Sequence, residues 1–192
     1  ALHSSQNEQD NRNYAKFAKI PMLEPADSQE AKDFIKLAFE LSEKFDTPVF
    51  LRTTTRVSHS KSVVRIEPQA ALEDRTDIRH LPLKYVMVPI NARTRRVEVD
   101  KRTLALREWA ETFPGNRVEM GSAEVGIITA GMPYNYAKDA FPEYSYLKLG
   151  MVNPLPEKLI RDFASKVKKL YVVEELDPFI EEQVIEMFRE VT

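Results

Sequence analysis

Cysteine is absent from the 192-residue sequence, and glycine is scarce, with only five residues. Without cysteine, this chain cannot form disulfides, present a thiolate nucleophile or ligate an iron–sulfur cluster. The glycines do not cluster into a phosphate-cradling loop, so a cofactor phosphate would have to be held by something outside this chain. The three histidines lie far apart without ligand spacing, and we predict no metal site in this chain.

The sequence also lacks long apolar runs and an excess of either charge. No stretch approaches the roughly 18 apolar residues needed to cross a bilayer, and the start shows no signal-peptide pattern. The 28 Lys and Arg residues are balanced by 30 Asp and Glu residues, which leaves no basic field for nucleic acid. These features predict a cytoplasmic protein that binds neither membranes nor nucleic acids.

The first third of the chain has the pattern of a strand–helix–strand unit. Two short apolar runs, 22–23 and 49–51, fit strands. Between them, a capping-box-like pair at Asp27 and Glu30 opens an amphipathic stretch of about eighteen residues. Such a unit is expected to fold with parallel strands and a right-handed crossover.

The stretch from Pro48 to Ile66 changes abruptly from apolar to polar after Leu51. Open α/β sheets bind their ligands beyond the carboxyl ends of the strands, and arginine can hold a carboxylate or phosphate through paired hydrogen bonds. The polar segment that begins with Arg52 and Thr53 is therefore predicted to bind an anion. The alternative is a solvated loop whose threonines bond to nearby backbone groups.

Residues 67–122 are rich in proline and charge and predict a connector with some structure of its own. Within it, Tyr85–Ile90 predicts a short strand and Thr103–Phe113 a helix. A basic cluster is formed by Arg93, Arg95 and Arg96. This cluster could bind phosphate or RNA, but without interleaved aromatic residues a solvated or inter-subunit salt-bridging face is favoured.

From Glu124 onward, short apolar runs alternate with helical patterns, which is typical of a parallel α/β sheet. Strands are expected at 125–130, 146–151 and 170–173, with helices at 134–141, at 157–167 and after Pro178. The chain is thus predicted to be an α/β protein with two lobes, of which the first is incomplete.

An acidic run, Glu174, Glu175 and Asp177, follows the last predicted strand. Paired carboxylates at this position suit acid–base or metal chemistry. In the alternative interpretation, Asp177 caps the last helix while the glutamates face solvent or pair with a neighbouring subunit.

Four ordered segments that together bear on nearly the whole chain carry a family resemblance: HSSQNEQDNR at 3–12, LRTTTRVSHS at 51–60, LKLGMVNPLPEKLIRDFA at 147–164 and VVEELDPFIEEQ at 172–183. With these segments the sequence resembles the alpha subunits of indolepyruvate:ferredoxin oxidoreductases, within the thiamine-diphosphate-dependent 2-oxoacid oxidoreductases.

The resemblance implies an α/β fold in which a partial pyrimidine-binding-type lobe precedes a transketolase C-terminal-like, three-layer parallel-sheet domain. The implied divisions are 1–66 for the latter part of the pyrimidine-binding-type domain, 67–122 for the connector and 123–192 for the transketolase C-terminal-like domain. Full subunits of the family are much longer, so we expect an excised internal fragment. The glutamate that activates the aminopyrimidine would precede Ala1, and a GDG-type motif for magnesium and diphosphate would follow Thr192.

The resemblance also implies the activity of the parent enzyme, which is oxidative decarboxylation of the aryl 2-oxo acid indolepyruvate to an acyl-CoA. Coenzyme A would accept the acyl group and ferredoxin the electrons. The parent would use thiamine diphosphate with magnesium and iron–sulfur clusters, together with its remaining domains and a beta subunit. The fragment alone is expected to be inactive and to bind none of these cofactors.

Catalytic residues are not identifiable from the sequence, but candidates for lining a substrate or cofactor pocket are Ser4, Ser5, Gln6, Asn7, Arg52 and Thr53. Amides and hydroxyls can hydrogen-bond a 2-oxo acid, and Arg52 can pair with its carboxylate. Two alternatives stay open. One is a related enzyme for pyruvate or another 2-oxo acid, and the other is a non-catalytic α/β module that organises subunits.

Overall fold

The computed structural model describes residues 9–68 and 81–189. Ser4, Ser5, Gln6 and Asn7 lie outside this range. The helices are α1 (Arg12–Ala18), α2 (Ser28–Phe45), α3 (Thr55–His59), α4 (Pro82–Tyr85), α5 (Pro89–Ala110), α6 (Gly131–Ala140), α7 (Glu157–Ala164) and α8 (Phe179–Phe188). The strands are β1 (Met22–Leu23), β2 (Phe50–Leu51), β3 (Arg117–Glu119), β4 (Ser122–Ala130), β5 (Tyr144–Leu149), β6 (Met151–Asn153) and β7 (Lys169–Val173).

The predicted strand–helix–strand unit is confirmed as β1–α2–β2, with β1 and β2 parallel. The first residues of α2 are held by Asp27, whose carboxylate accepts the Glu30 N–H at 2.8 Å. The capping box is only half formed, because the Glu30 side chain accepts from the Ala26 N–H instead. The helix ends at Asp46 in the left-handed conformation.

The second sheet has the strand order β3-β5-β4-β7. Its strands β4, β5 and β7 are parallel, as the alternation of strands and helices predicted, while β3 is an antiparallel edge strand that the sequence did not indicate. Successive β4 residues point to opposite faces: Ile127 packs with Tyr134 of α6, whereas Ile128 packs with helices α7 and α8. This arrangement confirms three layers.

The two sheets are joined where β5 runs through Gly150 into β6. Strand β6 leaves the second sheet and pairs antiparallel with β1, so the first sheet has the order β2-β1-β6. A Cβ atom at Gly150 would lie 2.6 Å from the Gly115 carbonyl oxygen, which makes glycine necessary at this crossing. The crossing places the carboxyl ends of strands from both sheets near one another.

The strand predicted at Tyr85–Ile90 is wrong. Pro82 and Pro89 each stand at the first positions of a helix, where a fixed φ and a missing N–H favour helix initiation. Helix α4 therefore includes Tyr85 and α5 includes Pro89 and Ile90, and residues 86–88 between them form no strand. The predicted helix at Thr103–Phe113 corresponds to the second half of the 22-residue α5. Within the described ranges, no helix combines the length and apolarity needed to span a bilayer.

A buried ion pair fastens α2 to the second sheet. The Lys148 side chain is fully buried, donates to the Glu30 carboxylate and lies 5.1 Å from the centroid of the Phe34 ring. Arg117 of β3 donates to the other oxygen of Glu30 at 2.8 Å. Burial lowers the pKa of the Lys148 ammonium, while the charge of Glu30 opposes that shift. The pairing fixes the first lobe against the second, although the domain divisions at 66 and 122 stay predictions.

Candidate functional site at the carboxyl ends of the strands

The residues that directly follow β1, β2, β4 and β7 converge between the two sheets. They are Glu24, Arg52, Gly131 and Glu174. With Asp10 and Arg12 of the N-terminal segment, the charged members form the buried charge cluster, defined here as Asp10, Arg12, Glu24, Arg52 and Glu174. Its position at the carboxyl ends of parallel strands is the one that open α/β sheets use for ligands.

Arg52 is held rigidly at this site. Its backbone N–H donates to the Leu23 carbonyl at 2.9 Å, which continues the β1–β2 pairing by one residue. In the side chain, Nη1 donates to Glu24 and Nε donates to Asn11 Oδ1 at 2.7 Å. Only 6 % of the residue is exposed. Within the described residues, Nη2 is the guanidinium nitrogen without a hydrogen bond.

Glu24 is the acidic partner of Arg52 and is 3 % exposed. One of its carboxylate oxygens accepts from Arg52, whereas Oε2 is buried without a hydrogen-bond partner in the described part of the chain. Desolvation raises the pKa of Glu24, although the charges of Arg52 and Arg12 pull it down. Burial therefore keeps the pKa of the Glu24 carboxyl above its ordinary value even though the group is paired with Arg52.

Gly131 packs closely against the Glu24 side chain at one side of the cluster. Its φ of +56° lies in the left-handed region, and a Cβ atom there would come within 2.6 Å of Glu24 Oε1. Both constraints select glycine at the junction of β4 and α6. The close approach brings the second sheet into contact with a carboxylate of the first.

Arg12 links α1 to the β7–α8 loop. Its Nε and Nη2 donate to the Asp10 carboxylate, at 3.0 and 2.5 Å, and Nη1 donates to Glu174 at 2.6 Å. Nη2 also donates to the carbonyls of Glu175 and Asp177, at 2.8 and 2.9 Å. Burial would raise the pKa of Asp10, but its hydrogen bonds from Arg12 outweigh burial and lower it. The guanidinium group thus forms ion pairs with two carboxylates while satisfying backbone oxygens.

The acidic run after β7 stabilises the start of the next helix. The carboxylate of Glu174 accepts the N–H groups of Ile180 and Glu181 at 2.9 Å each, so Glu174, rather than Asp177 as the alternative interpretation had it, caps α8. Among the residues that the structure describes, no group of three His, Asp or Glu side chains is arranged to hold a metal ion.

The predicted pocket residues divide into those the structure places and those outside its range. Arg52 lies in the cluster, and the neighbouring Thr53 is exposed with its hydroxyl accepting from Ser58 at 2.9 Å. The candidates Ser4, Ser5, Gln6 and Asn7 cannot be located, since description begins at residue 9.

Sequence reasoning missed four residues that contact or compose the site, namely Asp10, Asn11, Arg12 and Glu24. The first three belong to or adjoin the HSSQNEQDNR segment that carried the family resemblance. Glu24 is the first polar residue after the predicted strand at 22–23, the same signal that selected Arg52. Applying that rule to both strands would have found the buried pair.

The basic cluster on α5 behaves as a salt-bridging face within the described chain. Arg95 lies 3.6 Å from Asp46, and Arg96 lies 3.4 Å from Asp100 one turn along the same helix. Both arginines remain partly exposed, so these ion pairs are weak.

Residues 2–105 match the family model described as pyruvate flavodoxin/ferredoxin oxidoreductase, thiamine diP-bdg, over more than half of the chain. The chain belongs to this family. Four of the five residues of the buried charge cluster fall within the segment that matches the pyruvate flavodoxin/ferredoxin oxidoreductase family.

Three curated relatives carry the name indolepyruvate oxidoreductase subunit IorA. The Archaeoglobus fulgidus protein is 42% identical over 186 residues, covering 94% of this chain and 30% of that protein. The Methanothermobacter thermautotrophicus protein is 41% identical over 191 residues, covering 96% of this chain and 31% of that protein. The Pyrococcus horikoshii protein is 42% identical over 195 residues, covering 96% of this chain and 30% of that protein. The chain thus spans just under a third of the length of these relatives.

A solved structure shares the fold. It is a 2-oxoglutarate:ferredoxin oxidoreductase from Magnetococcus marinus with 2-oxoglutarate, coenzyme A and succinyl-CoA bound. The superposition has a TM-score of 0.56 at 16% identity and covers 88% of this chain and 37% of that chain. The likeness confirms an α/β fold of the kind found in this enzyme family.

Proposed function

We propose that the chain is part of an indolepyruvate:ferredoxin oxidoreductase that converts an aryl 2-oxo acid, coenzyme A and oxidised ferredoxin into an acyl-CoA, carbon dioxide and reduced ferredoxin. The observation that carries the proposal is the identity of 41–42% over nearly the whole chain to three proteins with one name. The activity belongs to a longer protein with its remaining domains and beta subunit, and the isolated chain is inactive.

In this proposal, Arg52 orients the substrate carboxylate. Its guanidinium group is fixed by Glu24 and Asn11 through two nitrogens, and Nη2 is left for a further acceptor within the described residues. A fixed guanidinium loses little conformational freedom when it binds, which favours orientation of the ligand. Thr53 adds an exposed hydroxyl, and Ser4, Ser5, Gln6 and Asn7 supply further hydroxyls and amides from the segment that precedes the cluster.

The cofactor groups divide between this chain and parts outside it. Thiamine diphosphate, when bound, supplies the carbanion chemistry that decarboxylation of a 2-oxo acid requires. The family match at 2–105 favours contact of this chain with the thiamine portion. The donor set does not fit the other groups: iron–sulfur clusters need cysteine, which the chain lacks, and the described residues offer no carboxylate group suited to magnesium. We assign both to the remaining domains.

The direct test is to assay ferredoxin reduction by the full-length protein against indolepyruvate, pyruvate and other 2-oxo acids. Indolepyruvate is expected to give the largest kcat/KM. Preference for a different 2-oxo acid would replace the substrate assignment, and no reduction with any of them would refute the proposed reaction. Calorimetry on the isolated chain should detect no binding of thiamine diphosphate.

Arg52→Ala in the full-length protein tests the assigned role. The loss of a charge-assisted hydrogen bond should raise KM for the 2-oxo acid roughly ten- to hundredfold. Thr53→Val is a milder comparison, since it removes one exposed hydroxyl and leaves the buried pair intact. Unchanged kinetics in Arg52→Ala would remove Arg52 from the substrate site.

A further inference from the structure

The three carboxylates of the buried charge cluster are not equally well hydrogen-bonded. Asp10 accepts from the backbone N–H, Nε and Nη2 of Arg12. Glu174 accepts from Arg12 and from two backbone N–H groups of α8. Among the described residues, Glu24 accepts from Arg52 alone, and its second oxygen is buried without a partner. Glu24 is therefore the carboxylate of the cluster whose charged form is least stabilised by hydrogen bonds.

Glu24 is also fixed in place and shielded from water. Its backbone N–H donates to the Gly150 carbonyl at 2.8 Å, and the backbone of Gly131 packs against its side chain. Only 3 % of the residue is exposed. A carboxylate in this position has lost most of its hydration, so its charged form depends on the charges that surround it.

The charges that act on Glu24 come from three elements of the fold. Arg52 follows β2, Asp10 and Arg12 lie at the start of α1, and Glu175 lies after β7. The β4–α6 and β5–β6 junctions, which also pack against Glu24, contribute glycine backbone rather than charge. Burial raises the pKa of Glu24 most, and the charges of Asp10 and Glu175 raise it further, while the two arginines lower it.

A bound anion changes the charge balance of the cluster. With every group ionised, the cluster has three carboxylates, on Asp10, Glu24 and Glu174, and two guanidinium groups, on Arg12 and Arg52. A ligand carboxylate at Arg52 would be a fourth negative charge against two positive charges in a buried site. Like charges in such a site raise one another's proton affinity, so one carboxylate is expected to become protonated.

We propose that Glu24 takes up a proton when the carboxylate of a 2-oxo acid binds to Arg52. The proton comes from solvent, and no bond within the ligand forms or breaks. Without ligand, the charged Glu24 holds the guanidinium group in place; with ligand, the neutral Glu24 leaves the charge of Arg52 to the ligand carboxylate. Glu24 is thus a positioning residue that acts through Arg52. The inference rests on the role proposed above for Arg52.

The test is calorimetry of the full-length protein with indolelactate, a probe that has the carboxylate and aryl group of indolepyruvate but no 2-oxo group to react. Titrations between about pH 5.5 and 8.5, where the probe stays ionised, are repeated in buffers of different ionisation enthalpy, which gives the number of protons taken up. Uptake of at most about one proton per ligand is expected. The Kd should rise with pH by up to about tenfold per pH unit, because proton uptake becomes less favourable.

The outcomes separate this inference from the proposed function. Binding without proton uptake at any pH in this range overturns the inference and leaves the assignment of Arg52 to the substrate site intact. Failure of the wild type to bind the probe, or equal binding by Arg52→Ala, overturns that assignment and the inference together. Circular dichroism of each variant shows whether it is folded.

Glu24→Gln identifies the group that takes up the proton. Glutamine keeps an oxygen that can accept from Arg52 but cannot be protonated, so we expect no proton uptake, a Kd independent of pH, and binding at about pH 8 no weaker than that of wild type. Proton uptake equal to that of wild type would identify another group, such as a histidine, and overturn the inference. A loss of affinity with an unchanged pH profile would also overturn it, because it indicates a purely structural role.

Glu124→Gln is the matched control, since the Glu124 side chain is 66% exposed and pairs with Lys168 at the surface. It should take up protons as wild type does. If Glu24→Gln does not fold, Glu175→Gln provides the second variant. Loss of this negative charge should move the pH dependence of binding to lower pH, because Glu175 raises the pKa of Glu24. A profile that stays in place or moves to higher pH overturns the inference.

Discussion

Replacing Arg12 by alanine would remove the ion-pair partner of two buried carboxylates, Asp10 and Glu174. The Asp10 side chain is 0% exposed and that of Glu174 is 8% exposed, and both are paired to Arg12 at 2.6 Å or less. Breaking a buried ion pair by removing one partner typically costs about 3–5 kcal/mol. For a chain of this size that corresponds to a fall in Tm of roughly 10 °C. Urea unfolding followed by circular dichroism measures the loss directly.

The loss should depend on pH, because the pKa of Asp10 in the folded chain lies below its ordinary value of 3.8. A lowered pKa in the folded state contributes stability that is fully present above that ordinary value and disappears as pH falls through the folded value. The difference in the free energy of unfolding between wild type and Arg12→Ala is therefore expected to be largest near neutral pH and to shrink below about pH 4.

Arg96→Ala provides the control, since Arg96 and Asp100 form an ion pair on α5 in which both side chains are more than half exposed. Its loss should be at most about 0.5 kcal/mol. If Arg12→Ala cost no more than Arg96→Ala, or if its cost stayed constant down to acid pH, the cluster would not be stabilised by charge pairing as argued.

Three further substitutions probe the elements that position the site. Gly131→Ala should destabilise by about 2 kcal/mol or more, because φ is positive there and the new Cβ would meet Glu24; chemical denaturation would show no loss if the junction relaxes freely. Lys148→Met should lower the free energy of unfolding by about 3 kcal/mol, because it leaves Glu30 without its buried partner. In a double-mutant cycle, adding Glu30→Gln should recover part of this stability, and additive losses would mean that the two residues are not coupled. Asp27→Ala should lower the free energy of unfolding by about 1 kcal/mol through loss of the α2 cap, and Tm measured by calorimetry should fall accordingly; an unchanged Tm would show the cap to be dispensable.

Local pattern was sufficient for most of the elements in the chain. The cap at Asp27 and the apolar stripe behind it predicted α2 and its length, since helix initiation and side-chain periodicity act within a few residues. The apolar run before Ala130 and the alternation that follows it likewise predicted the parallel strands of the second sheet. Where a local signal was ambiguous, as at Tyr85–Ile90, β-branched composition favoured a strand and the prolines favoured helices.

No local pattern of this kind specified which buried charged residues pair with each other. Arg52 was identifiable as an anion-binding residue, but its pairing with Glu24, 28 residues away, required β1 and β2 to lie side by side. Arg12 meets Glu174 across 162 residues, and Lys148 meets Glu30 across 118, because the crossing at Gly150 brings the two sheets together. Hydrophobic periodicity and capping specify what each segment becomes. Which buried charge neutralises which is decided only when distant segments pack, because an unpaired charge cannot be buried without a large desolvation cost.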